Sequence, residues 1–347
     1  RPLIEAIRKA RPDTRILLTF FSPSGYEVRK NYPGADLVCY LPFDLPGNVK
    51  RFLDLTRPTQ AIFIKYEFWA NYLNELKRRN IPTYSISAIF RPNQVFFRFY
   101  GGYFRRILRN FTLLYIQNEQ SRQLLAGIGI TNVSVVGDTR FDRVSDIRLS
   151  AKELPVVEAF AQGKKVLVVG SSWPKDEEFI LDYFNHRDDI KLIIAPHEIH
   201  ESHLLFIESR LKRPTLRYTQ ATEATAATCD CLIIDCFGLL SSIYRYGTLA
   251  YVGGGSGAGI HNIAEAAVYN LPVIFGPNHR RFKEAHEPIA CGGGFAIDSG
   301  EAFRSTADRL LSDPDALATA SHNAGHYIAS HTGATRLILK DLFGIDE

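Results

Sequence analysis

Methionine is missing from all 347 residues, and the chain opens at Arg1-Pro2 inside an amphipathic helical pattern that includes Leu3 and Ile7. Both features lead us to expect a chain truncated at its start. The sequence contains no signal peptide and no run of eighteen apolar residues, so it predicts no membrane-spanning helix within the residues given. A segment before Arg1 is not covered by that prediction.

Cysteine is scarce, and its spacing does not predict a metal site. The five cysteines are Cys39, Cys229, Cys231, Cys236 and Cys291. Cys229-x-Cys231 has no second paired motif to complete a zinc site, so we interpret the cysteines as buried structural thiols of a reducing compartment. Four histidines are likewise not spaced as metal ligands, and we expect them at the surface: His200, His203, His279 and His286.

Charge of one sign is not in large excess, because the net charge is only +4. That balance is compatible with an acidic ligand. Nucleic acid is not predicted as a partner, because basic residues are concentrated in a single segment, residues 91–111. The composition, 46% hydrophobic and 22% charged, is that of a globular protein.

The chain alternates short apolar runs with helical patterns, which is typical of an α/β fold with parallel sheets and helices on both faces. Its length favours more than one domain. The polar residues 138–153 predict an irregular interdomain linker. We place domains at residues 1–145 and 146–330, and a terminal helix at residues 331–347 that packs back on the first domain.

Residues 244–278 organise the second half and predict a strand, a glycine loop, a helix and a second strand. Gly254 and Gly255 belong to the loop, and the helix is expected to begin at His261-Asn262. Glycines before a helix bring backbone N–H groups to an anion, and Glu265 is placed to accept two sugar hydroxyls. The alternative is a turn followed by a capping box of Asn262 and Glu265. The spacing is not that of the dinucleotide fingerprint.

Parallel sheets bind ligands beyond the carboxyl ends of their strands. In the second half, these positions hold Ser171-Ser172, Pro196-His197 and Phe237-Gly238-Leu239, which should converge with the helix that carries Asn262 and Glu265. In the first half they hold Ser22, Ser24 and Gly25, which are either ligand contacts or a helix cap, and Glu67, which binds a sugar hydroxyl or forms a buried ion pair with an arginine. Trp69 is expected in the core rather than as a sugar platform.

Residues 91–111 interleave arginines with aromatic side chains. One interpretation is a basic, aromatic surface for a phosphate-bearing and acyl-bearing ligand at a bilayer. The other is an amphipathic helix pair with its aromatic residues in the core and its arginines solvated. The residues concerned are Arg91, Arg98, Arg105, Arg106, Arg109, Phe96, Phe97, Phe99, Tyr100, Tyr103 and Phe104.

Two long motifs resemble those of the Kdo transferases, which move 3-deoxy-D-manno-octulosonic acid from CMP-Kdo to a lipid A precursor. Residues 40–73 contain YLPFDLP and then KYEFWAN, where the family has Y-L-P-x-D-L-P and Glu-x-Glu-x-Trp-Pro-Asn; the first acid and the proline are replaced. Residues 244–278 resemble the family's V-G-G-S…G-G-H-N-P-L-E…P-V-L-x-G-P signature, with His261, Asn262 and Glu265 in place. The resemblance extends from about Arg1 to Gly344.

The resemblance implies a GT-B architecture, with two Rossmann-like domains facing across a cleft. The amino-terminal domain would bind the acceptor, and the carboxyl-terminal domain the CMP-sugar. His197 stands where the family has arginine, so a titratable group replaces a permanent cation. The donor set is Ser171, Ser172, Pro196, His197, Phe237, Gly238, Leu239, Gly254, Gly255, His261, Asn262 and Glu265, and the acceptor or Kdo set is Ser22, Ser24, Gly25, Glu67, Arg91 and Arg140. A hinge salt bridge explains Arg140 equally well.

By the same resemblance, the enzyme inverts the anomeric carbon and needs no metal or other cofactor. The family's general-base glutamate lies upstream of Arg1, so we expect this chain to be almost inactive yet still to bind CMP. The implied partners are CMP-Kdo, a lipid A precursor and the cytoplasmic face of the bacterial inner membrane. The alternatives are a UDP-sugar GT-B enzyme, such as a lipid-A-disaccharide synthase-like transferase or an epimerase, and an inactive nucleotide-binding module.

Overall fold

The computed structural model of the protein describes residues 1–257, 259–279 and 283–345. Over these residues the chain divides into two compact units. The first unit comprises Arg1–Arg143 and His331–Glu347, and the second comprises Val144–Ser330. The domain boundary expected from the sequence, at residues 145/146, lies close to this division.

The first unit alternates strands and helices from its start. Its helices are α1 (Pro2–Ala10), α2 (Pro23–Arg29), α3 (Pro46–Thr56), α4 (Ala70–Arg78), α5 (Gly102–Leu108) and α6 (Glu119–Ala126), with α7 (Thr139–Leu149) running across the division. Its strands are β1 (Leu17–Phe20), β2 (Leu37–Tyr40), β3 (Ala61–Ile64), β4 (Thr83–Ala88), β5 (Leu113–Ile116) and β6 (Val133–Val135), with a 3₁₀ turn at Val95–Phe97. All strand pairs are parallel, and the strands form two sheets, β1-β2 and β3-β4-β5-β6.

The second unit repeats the pattern around one parallel sheet, ordered β13-β12-β11-β7-β8-β10-β9. Its strands are β7 (Lys165–Ser172), β8 (Ile190–Pro196), β9 (Thr215–Arg217), β10 (Cys231–Ile233), β11 (Leu249–Val252), β12 (Val273–Phe275) and β13 (Gly294–Ala296). Its helices are α8 (Pro155–Ala161), α9 (Pro174–Asn185), α10 (Glu201–Arg210), α11 (Glu223–Thr228), α12 (Leu240–Ile243), α13 (Ala264–Ala267), α14 (Lys283–Cys291), α15 (Gly300–Ser312) and α16 (Pro314–His331), with 3₁₀ turns at Tyr218–Gln220 and Tyr244–Tyr246.

The last helix, α17 (Ala334–Phe343), belongs to the first unit. Leu3 and Ile7 of α1 share a hydrophobic core with Ile338 and Leu339 of α17 and with Tyr115 of β5. The amphipathic pattern at the start of the sequence therefore marks a real core face. Burial of these aliphatic side chains is worth about 1.5–3 kcal/mol each.

The prediction of an irregular linker at residues 138–153 is wrong, because most of this segment forms α7. Asp142 carries the contacts that the local sequence does not reveal. Its carboxylate accepts hydrogen bonds from the backbone N–H groups of Gly333 and Thr335, at 2.6 and 2.7 Å. These partners lie about 190 residues away along the chain, so a polar residue that predicts a loop anchors a helix instead.

The prediction that the cysteines are buried is confirmed for only two of the five. Cys229 and Cys231 are buried, Cys39 and Cys236 are half-buried, and Cys291 is exposed. Within the ranges that the structure describes, no helix combines the length and the apolar character that crossing a bilayer requires.

Candidate functional site

The second unit brings its predicted site segments to one edge of the sheet, because its strands are parallel. Ser172 at the end of β7 pairs with Pro196 at the end of β8. Val252 at the end of β11 lies beside Gly170 of β7. β10, which precedes the Phe237 segment, is the other neighbour of β8. We call this the strand-end edge of the second unit.

The glycine loop after β11 needs its glycines. Gly254 has a φ of +89°, and a Cβ there would lie 2.4 Å from the carbonyl oxygen of Gly259. A Cβ on Gly255 would lie 2.6 Å from the Cα of Gly276, and Asn278 donates its backbone N–H to the Gly255 carbonyl at 2.9 Å. Only bare backbone fits where the loop meets the turn after β12.

A buried carboxylate that the sequence did not reveal fixes this loop. The side chain of Asp176, on the first turn of α9, is fully buried. It accepts hydrogen bonds from the Tyr251 hydroxyl at 2.8 Å, the Gly254 N–H at 3.1 Å and the Trp173 N–H at 3.2 Å. Burial, and then the Asp176 charge, raise the pKa of the Tyr251 hydroxyl, which therefore stays a donor.

Three rings meet at the same edge, and we call them the ring cluster: Trp173, His197 and His261. The His197 ring stacks on the rings of Trp173 and His261, with centroid distances of 4.6 Å in both cases. The Trp173 indole N–H donates to Nε2 of His261 at 3.4 Å. Burial, followed by the neighbouring His197, lowers the pKa of His261, while Asp176 opposes that shift.

The expectation that His203 lies at the surface is wrong. Its Nε2 lies 2.8 Å from the carboxylate of Glu177, which is fully buried and accepts the Ser172 hydroxyl at 2.7 Å. Burial by itself would lower the pKa of His203, but the hydrogen bond and charge of Glu177 outweigh it and raise that pKa. A buried carboxylate therefore lies directly beneath the end of β7.

The helix expected to begin at His261-Asn262 starts later and is short, with Ile263 as its N-cap residue and α13 covering four residues. The backbone before α13 forms part of the glycine loop instead, since the His261 N–H donates to the carbonyl of Gly253 at 3.2 Å. Asn262 donates its side-chain N–H to Glu265 Oε1 at 3.0 Å. This side-chain pairing differs from the capping-box alternative, in which Asn262 would accept from the backbone of Glu265.

The segment after β10 adds an exposed aromatic ring to this edge. Phe237 is 79% exposed. Gly238 has a φ of +85°, and Leu239 is the N-cap residue of α12. Phe237 is therefore available to a ligand without any rearrangement of the core.

In the first unit, the positions after β1 are exposed. The hydroxyls of Ser22 and Ser24 lie 2.7 Å apart. Ser22 is the N-cap residue of α2, although its side chain makes no capping hydrogen bond. A Cβ on Gly25 would lie 2.9 Å from the Phe20 ring, so this glycine allows α2 to approach β1 closely.

The exposed carboxylate of Glu67, after β3, accepts the indole N–H of Trp69, instead of forming the buried ion pair considered from the sequence. Trp69 is half-buried, and its ring lies 4.7 Å from that of Phe21, which lies 5.8 Å from Phe43. Phe21 and Phe43 are 45% and 69% exposed. We call Phe21, Phe43 and Trp69 the aromatic face of the first unit.

The two arginines proposed for the first unit have partners. Arg91 donates to the Tyr66 hydroxyl at 3.2 Å. Arg140 forms an ion pair with the buried Asp138 at 2.8 Å, as the salt-bridge alternative expected, and keeps 55% of its side chain exposed. Lys65 lies 3.5 Å from the same carboxylate.

Residues 91–111 combine features of both interpretations. Phe96 and Phe111 belong to the hydrophobic core, as the helix-pair interpretation requires. Phe99, by contrast, is 94% exposed, and its exposed neighbours include aromatic rings and arginines. We call this surface the aromatic-basic patch: Phe99, Tyr100, Tyr103, Phe104, Arg98 and Arg106.

The fold class is set by the parallel sheets of both units and by likeness to solved structures. The UDP-GlcNAc 2-epimerase from Neisseria meningitidis, solved with UDP-GlcNAc bound, superimposes with a TM-score of 0.67 at 14% identity, over 99% of this chain and 95% of that one. At this identity the likeness concerns the fold alone. It confirms the predicted α/β class with a GT-B fold.

Comparisons of the sequence with known proteins point to one family. Residues 1–143 match the family model described as 3-deoxy-D-manno-octulosonic-acid transferase (Kdotransferase). A 3-deoxy-D-manno-octulosonic acid transferase of Rickettsia felis is 26% identical over 91% of this chain and 69% of its own length. One from Aquifex aeolicus is 26% identical over 88% of this chain and 81% of its own length. The chain is a relative of the Kdo transferases, as its motifs predicted.

Proposed function

We propose that this protein is an inverting glycosyltransferase that moves Kdo from CMP-Kdo to a lipid A precursor such as lipid IVA. One observation carries the proposal: relatives named as Kdo transferases align with 91% of the chain, across both units. The geometry supports it independently, since the residues predicted for the donor gather at the strand-end edge of the second unit.

In this proposal the strand-end edge of the second unit holds CMP. The glycine loop at Gly254 and Gly255 lets a phosphate approach bare backbone, and His197 adds a side chain that becomes cationic on protonation. Glu265 binds the ribose hydroxyls, with its carboxylate oriented by the Asn262 side chain at 3.0 Å. Phe237, 79% exposed, offers a face to the base.

The reaction would proceed by attack of an acceptor hydroxyl on the anomeric carbon of Kdo, with inversion and departure of CMP. Negative charge develops on the departing phosphate, so hydrogen-bond donors held at the strand-end edge lower the barrier. A general base must remove the hydroxyl proton. No residue of this chain is proposed as that base. We expect transfer to be unaffected by EDTA, and loss of activity with EDTA would contradict metal independence.

The first unit would bind the acceptor. Polar contacts would come from Ser22 and Ser24 after β1, Glu67 after β3 and Arg91 after β4. Gly25 and Arg140 complete the predicted set. The aromatic face gives an apolar surface beside them. The aromatic-basic patch is suited to a bilayer with anionic headgroups, because exposed aromatic rings insert at the interface while arginines pair with phosphates. We place the protein at the cytoplasmic face of the bacterial inner membrane.

Isothermal titration calorimetry with CMP and UDP tests the proposal. We expect CMP to bind more tightly than UDP, and Glu265→Ala to weaken CMP binding about tenfold, the usual cost of a hydrogen bond to a charged group. Glu178→Ala, at an exposed position of α9, is the matched control and should bind CMP normally. Tighter binding of UDP would contradict the proposal and favour a UDP-sugar enzyme.

A nucleotide-binding module without activity is the remaining alternative. Assaying Kdo transfer from CMP-Kdo to lipid IVA with the natural full-length protein separates the two. Formation of a Kdo-bearing lipid supports the transferase, whereas a protein that binds CMP and forms no product would contradict it.

A further inference from the structure

The β3–β6 sheet of the first unit has a cluster of polar side chains at the carboxyl ends of its strands. Lys65 follows β3, Ser87 lies near the end of β4, Gln117 follows β5, and Asp138 follows β6. Because these strands are parallel, the four positions lie at one edge of the sheet. We call Lys65, Asp138 and Arg140 the charged corner of the first unit.

Asp138 is the anchor of the charged corner. Its side chain is only 3% exposed, in contrast to the exposed Glu67 of the same unit. The carboxylate accepts hydrogen bonds from Arg140 Nε at 2.8 Å and from Gln117 Nε2 at 3.1 Å. Lys65 Nζ lies 3.5 Å from the same carboxylate. Since a buried carboxylate with several donors is fixed in position, it holds both cations at this edge.

The backbone at this edge adopts a conformation that is rare for residues with a side chain. Lys65 has a φ of +61° and Ser87 a φ of +55°. Gln117 Nε2 donates to the Ser87 carbonyl at 2.8 Å as well as to Asp138, which ties the strained backbone to the anchor. In the described part of the chain, the other non-glycine residues with positive φ either follow helices or, like Ser171, lie at the strand-end edge of the second unit. Such strain, about 1–3 kcal/mol per residue, is concentrated at ligand sites.

The three side chains of the charged corner together carry one net positive charge. Lys65 and Arg140 are two cations beside one carboxylate, and they keep 30% and 55% of their side chains exposed. The Kdo transferase motif has an acid at the position of Lys65. An acid there would place a second carboxylate beside Asp138, and the corner would then repel anions. The lysine of this chain instead makes the corner attractive to an anion.

We propose that Lys65 is a specificity-determining residue, which together with Arg140 forms a two-cation site for one anionic group, phosphate or carboxylate, of a sugar substrate. The inference rests on the proposed function only for the identity of that substrate: the phosphate would belong to the lipid A precursor and the carboxylate to Kdo. Because Asp138 already orients both cations, binding the anion costs little of their conformational entropy.

Chemical labelling of lysine amines, read for each residue by mass spectrometry, tests the site without any enzymatic activity. The probes are inorganic phosphate and acetate, each compared with chloride at equal ionic strength. We expect at least one of them to slow the acetylation of Lys65 in a saturable manner. Lys50, at an exposed position of α3, is the internal control and should react equally in all three salts. Arg140→Gln should abolish the protection of Lys65, and absence of protection in the natural protein would overturn the inference.

Transfer kinetics with the natural full-length protein identify which substrate carries the anion. Lys65→Gln should raise the KM for that substrate about tenfold, the usual cost of a hydrogen bond to a charged group, whereas Lys65→Arg should keep the natural KM. An increase for the acceptor that disappears with an acceptor lacking phosphate assigns the phosphate. An increase confined to CMP-Kdo assigns the carboxylate. Lys50→Gln is the matched control and should keep both natural KM values.

A second variant separates charge from folding. Lys65→Glu combined with Asp138→Asn keeps one carboxylate for Arg140 but removes the additional cation. It should therefore lose affinity for the same substrate, even if Lys65→Gln is poorly folded.

The outcomes distinguish this inference from the proposed function. Natural KM values for both substrates in Lys65→Gln would overturn the role of Lys65 and leave the transferase proposal intact. Protection of Lys65 by phosphate or acetate, in a protein that transfers no Kdo, would support the two-cation site and contradict the transferase proposal.

Discussion

The strand ends of the two units are built differently. In the second unit the polar groups beneath the edge are fully buried, and Ser172, Asp176 and Glu177 all have partners at 2.7–3.2 Å. In the first unit the corresponding polar residues, Ser22 and Glu67, are exposed and lie next to exposed aromatic rings.

This difference matches the ligands proposed for each unit. Buried, fully bonded polar groups hold a site in one geometry, which suits a small ligand of fixed shape such as a nucleotide. An open surface of aromatic rings with a few hydroxyl and carboxylate groups suits a large amphipathic ligand with flexible chains. Substitutions confined to one unit at a time test this difference.

The largest effect should follow from Asp176→Ala. The change leaves the Tyr251 hydroxyl and two backbone N–H groups without their buried acceptor, at a cost of about 3 kcal/mol in the free energy of unfolding. Urea denaturation measures the loss, and CMP binding should disappear with it. Asp182→Ala, on the same helix but with its side chain 55% exposed, should cost less than about 1 kcal/mol. Equal losses for the two variants would contradict the anchoring role of Asp176.

Gly254→Ala should disturb the glycine loop more locally. A Cβ there would clash with the Gly259 carbonyl and impose a φ of +89° on an alanine, so we expect about 1–3 kcal/mol of strain and loss of CMP binding. A methyl group added at Gly257 would meet its nearest atom, the Gly254 carbonyl oxygen, at 3.7 Å, an ordinary contact, which makes Gly257→Ala the control. A Gly254→Ala variant with natural CMP affinity would show that loop geometry is not required.

Phe99→Ser tests the surface of the first unit. The ring is 94% exposed, so its removal should leave stability unchanged. If the ring inserts at a bilayer interface, partitioning onto vesicles that contain anionic lipid should fall about tenfold, because burying a phenyl side chain is worth about 1.5–3 kcal/mol. Leu205→Ser removes a 53% exposed side chain from the second unit and should have no effect on partitioning. Equal partitioning of the two variants would exclude the patch as the membrane contact.

The smallest expected effect is the pH dependence that the Glu177–His203 pair gives to the free energy of unfolding. The pKa of His203 is raised from 6.5 in the folded protein, so the pair stabilises the fold fully below that pH and loses this contribution as the pH rises through the raised value. His203→Gln should therefore lower the free energy of unfolding more at pH 5.5 than at pH 8.5, as measured by urea denaturation. A larger loss at pH 8.5 would reverse the sign and contradict the pairing.

Much of the fold follows from local patterns in the sequence. β8 is buried along its whole length, as a central parallel strand should be, and its apolar run predicts that position. Once the strands are parallel, the convergence of the predicted donor segments at one edge follows, whereas the pairing of Ser172 with Pro196 depends on a register shift after Gly170. The convergence required only strand order and direction.

The remaining features depend on contacts between residues far apart in the chain. Asp176 and Tyr251 are 75 residues apart, and Trp173 and His261 are 88 apart, so no local pattern indicates these hydrogen bonds. The late start of α13, by contrast, has a local cause, because the His261 N–H donates to the carbonyl of Gly253 within the glycine loop rather than entering a helix. The only local sign of the buried carboxylates is the run of acidic residues after β7, and that run predicts a helix N-terminus rather than these contacts.

A crystal structure of the protein with CMP bound tests the central claim most directly. The account predicts the phosphate against the glycine loop and His197, with the ribose hydroxyls within hydrogen-bond distance of Glu265. CMP bound elsewhere on the second unit, or on the first unit, would contradict it.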